Sequence, residues 1–278
     1  MSDEAPFLFF EIDTFASLEE RGGELSDWVE TVWRELLAPL VPTSDPVPYE
    51  LSIGLESRSG DVEAAPQTSA LWEQTLDGLR RGELQSASLT MVRGARGGEG
   101  LSAFHLEVQL CGLAWPGVSH RVSVAASRDL FGAAISIEAE DRWVRVVKAA
   151  TTQFEASTGY VTFDVAGYIS PFESRFHLHW PDTLREVRTY LRGYYWGNFL
   201  SADHIRALGG AERVVREAPC HLIETLAPGL MYLQLTPSVE EFDDQQLAEL
   251  GEFLSPCLPA VSDEYPYLGP PVRVLDEP

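Results

Sequence analysis

The stretch LRGYYWGNFLSADHIRALGG, residues 191–210, joins a run of aromatic side chains to a short helix with clear start and stop signals. Ser201 is a residue type that caps helix N-termini, and Gly209 tolerates the left-handed backbone that commonly ends a helix. We interpret the stretch as a structural corner, in which the aromatic side chains are buried and Gly197 allows a tight bend into the helix. The residues of this corner are Tyr195, Trp196, Gly197, Asn198, Ser201 and Gly209.

Apolar and alternating runs on both sides of the corner predict strands. The most apolar of them, PFLFFEIDTF at 6–15, is typical of a buried strand. The other predicted strands are 49–57, 86–92, 103–112, 120–127, 133–139, 159–167 and 230–236.

Capping residues and helical spacing predict the helices that lie between these strands. Ser26 and Thr68 each precede a set of apolar residues at helical spacing. Acidic residues within 138–141 favour a helix start there, since negative charge suits the positive end of the helix dipole. Asp243 with Gln246 forms a capping-box pattern before the last predicted helix.

The mixture of strands and helices, with short turns between many strands, predicts an α+β fold. We expect a mixed, mainly antiparallel sheet with helices packed on it. A strand–helix–strand rhythm in both halves would allow a duplicated arrangement. No linker divides the chain, so we predict one domain over 1–258 followed by a proline-rich acidic tail at 259–278.

The charge balance excludes some partners and favours another. The chain of 278 residues carries 20 basic and 43 acidic side chains, for a net charge of −23. A field of that sign repels nucleic acid and anionic lipid surfaces and attracts a basic partner. No apolar run approaches the ~20 residues that span a bilayer, and the acidic N-terminus lacks the basic region of a signal peptide. We therefore expect a cytoplasmic protein with no membrane or nucleic-acid partner.

The acidic excess is most one-sided in the first thirty residues and from Ser238 onward. One interpretation of the second segment is a set of helix-start residues on a solvated face. The other is a landing surface for a basic protein. The candidate partner-binding residues are Glu240, Glu241, Asp243, Asp244, Glu249 and Glu252.

Motifs for catalysis or cofactor binding do not stand out. The glycine-rich run at 93–100 lacks the Lys-Ser/Thr ending of a phosphate-binding loop. Cys111, Cys220 and Cys257 are an odd number without CxxC spacing, which argues against a disulfide framework or a zinc knuckle. The sequence predicts no catalytic residue, no cofactor and no metal.

A pair of histidines is the one alternative that would support an enzyme. His177 and His179 lie on one face of an extended segment, where two imidazoles can share a metal. A catalytic zinc site needs a third ligand, and His204 and His221 stand alone in the sequence. We therefore favour two strand-face histidines over a metal site.

Four segments together resemble a bacterial family of type VI immunity proteins that act against VRR-Nuc nuclease toxins. TTQFEASTGYVTFDVAG (151–167) resembles the family's helix, small-residue turn and strand, and RGYYWGNFLSADHIRALGG (192–210) its aromatic segment and short helix. VREAPCHLIETLAPGLMYLQLT (215–236) resembles a strand pair around a glycine turn, and DDQQLAELGEFLSPCL (243–258) the closing helix. The resemblance covers residues 130–258.

This resemblance, or one to a closely related immunity family, implies a non-enzymatic antitoxin in the cytoplasm. Such a protein binds a cognate secreted toxin and occludes its active site. A nuclease toxin presents a basic groove for phosphate, which an acidic protein suits. The alternative is a scaffold or interaction protein of a secretion or defence complex with the same fold.

Overall fold

Ten strands form one antiparallel sheet in the part of the chain that the structure describes. The structure is a computed structural model. It describes residues 7–41, 49–66, 68–93, 101–111, 116–164, 170, 172–173, 176, 178 and 180–259. With helices packed on this sheet, the predicted α+β class is confirmed.

The strands are not arranged in chain order. Their bounds are β1 Phe7–Thr14, β2 Tyr49–Ser57, β3 Val62–Pro66, β4 Leu84–Arg93, β5 Leu101–Gln109, β6 His120–Ser127, β7 Thr158–Asp164, β8 Gly197–Leu200, β9 Leu222–Ala227 and β10 Leu230–Gln234. Across the sheet the order is β3-β2-β4-β5-β6-β1-β7-β8-β10-β9. The N-terminal strand therefore lies in the middle, and β3 and β9 are the two edges.

Seven α-helices flank the sheet among the described residues. They are α1 Gly22–Val32, α2 Ser69–Arg80, α3 Ile137–Gln153, α4 Trp180–Glu186, α5 Ala202–Ala207, α6 Ala211–Glu217 and α7 Asp244–Leu254. A five-residue π-helical turn, Trp33–Leu37, continues α1.

The central strand β1 has two buried faces of different chemistry. Successive side chains of a strand point to opposite faces. Phe10 faces the helical layer, with ring centroids 6.4 Å from Trp28 of α1 and 5.7 Å from Trp143 of α3. The other face of β1 presents Glu11 and Asp13, both at most 1% exposed. The core is therefore apolar on one side of the sheet and partly charged on the other.

The charged side of the sheet is covered by those residues between 170 and 196 that the structure describes, by α4 and by α7. Ser119, just before β6, donates its backbone N–H to the carbonyl of Leu184 on α4 at 3.2 Å. Leu191 donates to the carbonyl of Cys257, just after α7, at 2.7 Å. This second layer closes over the centre of the sheet.

Two local predictions were wrong. Residues 133–139 do not form a strand, because Ser136 caps α3 by accepting a hydrogen bond from the Ala139 N–H at 3.2 Å. Two acidic residues in the first turn favour the helix further. Ser26 does not cap α1, which already begins at Gly22 and buries Ser26 inside it.

The described residues do not test two other predictions. The tail at 259–278 lies outside them except for its first residue, and the duplicated arrangement stays a prediction. None of the helices described above combines the length and the apolar character that crossing a membrane requires.

Candidate functional site

The aromatic corner is built into the interior. Tyr195 and Trp196 are buried, and the Tyr195 ring stacks on Tyr160 of β7 with centroids 4.2 Å apart. Trp196 donates its indole Nε1–H to Thr236, with the carbonyl and the Oγ1 each at 3.1 Å. The side chains of this corner therefore hold the second layer on the sheet.

The bend at this corner is made differently from the prediction. Gly197 is the first residue of β8, where a Cβ atom would lie 2.9 Å from the Tyr232 hydroxyl. Close packing, and not a bend, therefore requires glycine at this position. The turn is closed by Asn198, whose Oδ1 accepts from the Tyr195 N–H at 3.0 Å and whose Nδ2 donates to the Tyr195 carbonyl at 2.6 Å.

The helix that follows the corner has the caps that its sequence suggests. Ser201 is the N-cap of α5, and its N–H donates to Nδ1 of the buried His204 at 3.2 Å. Gly209 follows the helix with a φ of 91°, in the left-handed region.

The six acidic candidates differ in their contacts within the chain, and their role in partner binding stays a prediction. Glu240 is held in place, since its Oε1 accepts from Arg128 at 2.8 Å and its Oε2 from the Ile135 N–H at 3.3 Å. Asp243 caps α7 by accepting from the Gln246 N–H at 2.8 Å. The carboxylates of Glu240 and Asp243 therefore stabilise the fold through these hydrogen bonds.

The remaining acidic candidates include a pair at a groove. Glu241 is exposed and Asp244 is half-buried in the first turn of α7. Glu249 and Glu252 are exposed one turn apart on α7 and line an open groove of about 410 Å³ between α6 and α7. These two candidates are exposed at the groove and are open to a partner there.

A buried charge network lies under the second layer, and sequence reasoning missed it. Its centre is Arg192, which is 2% exposed. Arg192 donates Nε–H to Glu173 Oε1 at 2.8 Å and Nη2–H to Glu173 Oε2 at 2.7 Å. Its Nη1 donates to Glu11 Oε1 and lies 3.4 Å from Asp13 Oδ2. One guanidinium thus binds the covering segment to the central strand.

A second arginine extends the network across the sheet. Arg121 of β6 lies with Nη1 3.4 Å from Glu11 Oε2 and donates Nη2–H to Gln109 at 2.7 Å. Gln109 donates Nε2–H to Glu107 at 2.9 Å. The network therefore sets four carboxyl groups against two guanidinium groups inside the protein.

Three of these carboxyl groups, on Glu11, Asp13 and Glu173, have shifted pKa values that differ in direction. Burial raises the pKa of Glu11 to about 8 and raises that of Asp13, against the pull of Arg192 and Arg121. Burial would also raise the pKa of Glu173, but Arg192, Thr183 and the Ser170 N–H together lower it below its ordinary value. The raised pKa values of Glu11 and Asp13 thus favour proton uptake by this pair, which lowers the excess of acid over base.

Asp13 is the most weakly held member of the pair. Both oxygens of Glu11 face an arginine, whereas Asp13 Oδ1 has no hydrogen-bond partner within the ranges given above. The signal in the sequence was a pair of carboxylates in an otherwise apolar buried strand, since buried charges need partners.

The three described cysteines are free thiols, two of them buried and one half-buried. Burial raises the pKa of Cys111 and Cys257 to about 11 and of Cys220 to about 12, so all three stay neutral thiols at pH 7. His177 and His179 lie outside the described residues. Among the residues that are described, no three or more His, Cys, Asp or Glu side chains are grouped to hold a metal ion.

Comparisons with known proteins give a likeness of fold. No family model and no curated protein matches the sequence. The chain is similar to a solved structure, the Pseudomonas aeruginosa T6SS protein PA0821, with a TM-score of 0.63 and 9% identity. The likeness covers 91% of this chain and 77% of that one. At this identity the likeness shows a shared fold, and the resemblance to the immunity family stays a prediction.

Proposed function

We propose that this protein is a non-enzymatic immunity protein, which binds and occludes a basic, nuclease-type bacterial toxin. The observation that carries the proposal is the likeness in fold, over 91% of the chain, to a protein of a type VI secretion system. Such systems deliver toxins, and a protected cell needs an intracellular inhibitor. The proposal sets the encounter in the cytoplasm, where a nuclease toxin would reach DNA.

The charge of the chain supports a basic partner. A net charge of −23 raises the encounter rate with a positively charged groove and disfavours nucleic acid as a ligand. Charge mainly supplies speed and selectivity, while a few desolvated anchors supply affinity. An acidic body that enters a phosphate-binding groove would block DNA by occupying its place.

The placement of the charged residues supports binding over catalysis. The unusual charges at Arg192, Glu11 and Asp13 are closed off from solvent and hold two layers together. Exposed carboxylates such as Glu249 and Glu252 remain for a partner. The proposal therefore assigns no substrate turnover to this chain.

Co-expression with the neighbouring reading frame tests the proposal. A host that dies when that frame is expressed alone should survive when this protein is present, and the two proteins should co-purify as a stable complex. A catalytically dead toxin should still co-purify, since inhibition needs binding and no chemistry. Death of the host despite folded, soluble protein would remove the proposal.

The alternative role is that of an interaction protein in a secretion complex. The similar protein of Pseudomonas aeruginosa is described as a T6SS protein, and a role in a secretion complex would fit that description too. Affinity purification that returns a secretion component, together with no protection from a toxin, would favour it.

A further inference from the structure

The groove between α6 and α7 combines one acidic wall with an aromatic floor. Glu249, Glu252 and Phe253 lie on the same side of α7, spaced by three and four residues. Residues at this spacing are neighbours on a helix surface. Pro256 continues the same wall just after the helix.

The acidic wall is open to a cation from outside the chain. Glu249 accepts a hydrogen bond from Gln245 at 3.0 Å, which leaves its charge uncompensated. Over the ranges that the structure covers, neither Glu249 nor Glu252 forms an ion pair. The acidic residues of nearby helices differ, since Asp182 pairs with Arg185 and Asp203 with Arg206, each at 2.6 Å.

The opposite wall carries an arginine that is already paired. Arg213 of α6 lines the groove and donates to Glu217 at 2.7 Å and to the Leu208 carbonyl at 3.1 Å. Glu217 also binds Arg216 at 2.6 Å. The charge of Arg213 is thus matched on its own helix, while the two groove carboxylates of α7 have no such partner in the described part of the chain.

The aromatic ring in the groove favours one kind of basic side chain over the other. Phe253 is half-buried against the core and keeps part of its ring at the groove. A guanidinium is planar, stacks on aromatic faces and presents a fork of donors to carboxylates, whereas an ammonium is a strongly hydrated point charge. An aromatic ring beside two carboxylates therefore suits arginine better than lysine.

We propose that this groove receives an arginine side chain of a basic partner protein, stacked on Phe253 and hydrogen-bonded to Glu249 and Glu252. The identity of that partner rests on the proposed function, while the chemistry of the groove does not. A second copy of the chain is disfavoured, since each copy carries a net charge of −23. A nucleic acid would meet the same repulsion.

Chemical-shift mapping with a blocked Gly-Arg-Gly peptide tests the groove on the full chain. We expect saturable shifts at the amides of residues 249, 252 and 253. Binding should weaken for the lysine peptide and vanish for the citrulline peptide, which keeps the shape and loses the charge. Glu249→Gln with Glu252→Gln should weaken the arginine peptide about tenfold, from two exposed ion pairs.

The matched control removes two charges at the other end of the sheet. Glu63 on β3 and Glu73 on α2 are exposed, and Glu63→Gln with Glu73→Gln changes the net charge by the same amount. This variant should bind the peptide as the unchanged protein does. Equal weakening of peptide binding in both double variants would overturn the proposal that arginine binds at this groove. Chemical-shift changes spread over the whole acidic surface would overturn it as well.

The peptide result is independent of protection from a toxin. Peptide binding at the groove in a protein that gives no protection would support the groove and remove the proposed function. Protection with full toxin affinity in the Glu249→Gln, Glu252→Gln variant would instead overturn the groove as the contact with the partner.

Discussion

Arg192 and Glu173 form a two-pronged buried ion pair, with Nε–Oε1 at 2.8 Å and Nη2–Oε2 at 2.7 Å, both side chains at most 1% exposed. The pair belongs to the layer that covers the sheet, and the third nitrogen of Arg192 reaches Glu11 of the central strand. The Arg192 guanidinium thus joins the covering layer to the sheet. Its removal would leave the carboxyl groups of Glu173 and Glu11 buried without this partner.

Arg192→Met should therefore destabilise the protein by about 3–5 kcal/mol, the cost of leaving buried charges without a partner. Unfolding in urea, followed by tryptophan fluorescence, measures the effect. The control is Arg206→Met on α5, which breaks a surface pair with Asp203 at 2.6 Å. It should cost less than about 1 kcal/mol. A similar small cost for both variants would contradict the role given to the network.

The raised pKa values of Glu11 and Asp13 make stability depend on pH. Their pKa values are raised in the folded protein from ordinary values of 4.5 and 3.8, and that of Glu11 reaches about 8. The folded protein therefore binds more protons than the unfolded chain between these limits. The contribution of these two groups to the free energy of unfolding is fully present below their ordinary pKa values of 4.5 and 3.8. It is lost as the pH rises toward about 8.

Asp13→Asn imitates the protonated carboxyl and should remove part of this dependence. We expect the variant to be more stable than the unchanged protein at pH 8, because the raised pKa of Asp13 shows that its ionised form is disfavoured in the folded protein. At pH 4 the two should be close. Denaturation at a series of pH values checks this, and a variant that loses stability at pH 8 would contradict the raised pKa of Asp13.

His204 acts in the opposite direction at acidic pH. Burial lowers its pKa from 6.5 to about 4 in the folded protein. The unfolded chain then binds more protons between these values, so stability is lost as the pH falls from 6.5 toward about 4. His204→Gln keeps an acceptor for the Ser201 N–H, as in a capping box, and removes the titration. Between pH 7 and 4 the variant should lose less stability than the unchanged protein, and parallel losses in both would contradict this assignment.

Gly251 is required by the ring that packs on it. A Cβ atom there would lie 2.6 Å from Cζ of the buried Tyr194. Gly251→Ala should destabilise by about 1–2 kcal/mol, because overpacking outweighs the gain in helix propensity. Gly23 on α1 has no neighbour within 4 Å of its added Cβ, so Gly23→Ala should be neutral or stabilising. Melting temperatures of the two variants give the comparison, and a stabilising Gly251→Ala would contradict the packing.

Local signals in the sequence predicted much of the fold. Thr68 caps α2 by accepting from the Leu71 N–H at 3.1 Å, and Asp243 with Gln246 forms the predicted capping box of α7. Signals of this kind act over three or four residues. They failed at 133–139, where an apolar and alternating run suggested a strand and the cap at Ser136 decided for a helix.

The candidate site was harder to predict, because its contacts join distant parts of the chain. Arg192 lies 181 residues from Glu11, and no periodicity links the two. The composition of the sequence revealed the acidic segment, but it did not show that the acidic residues make different contacts. Glu240 binds Arg128, which lies more than a hundred residues away in the sequence, while Glu249 and Glu252 line the groove.

The central claim is that this acidic body binds a basic toxin, and association kinetics with the neighbour-encoded protein test it most directly. The association rate constant should fall steeply as salt is raised, while the dissociation rate constant changes little, since screening acts mainly on the encounter. An association rate that is indifferent to salt, or the failure of the two purified proteins to form a complex, would contradict the account.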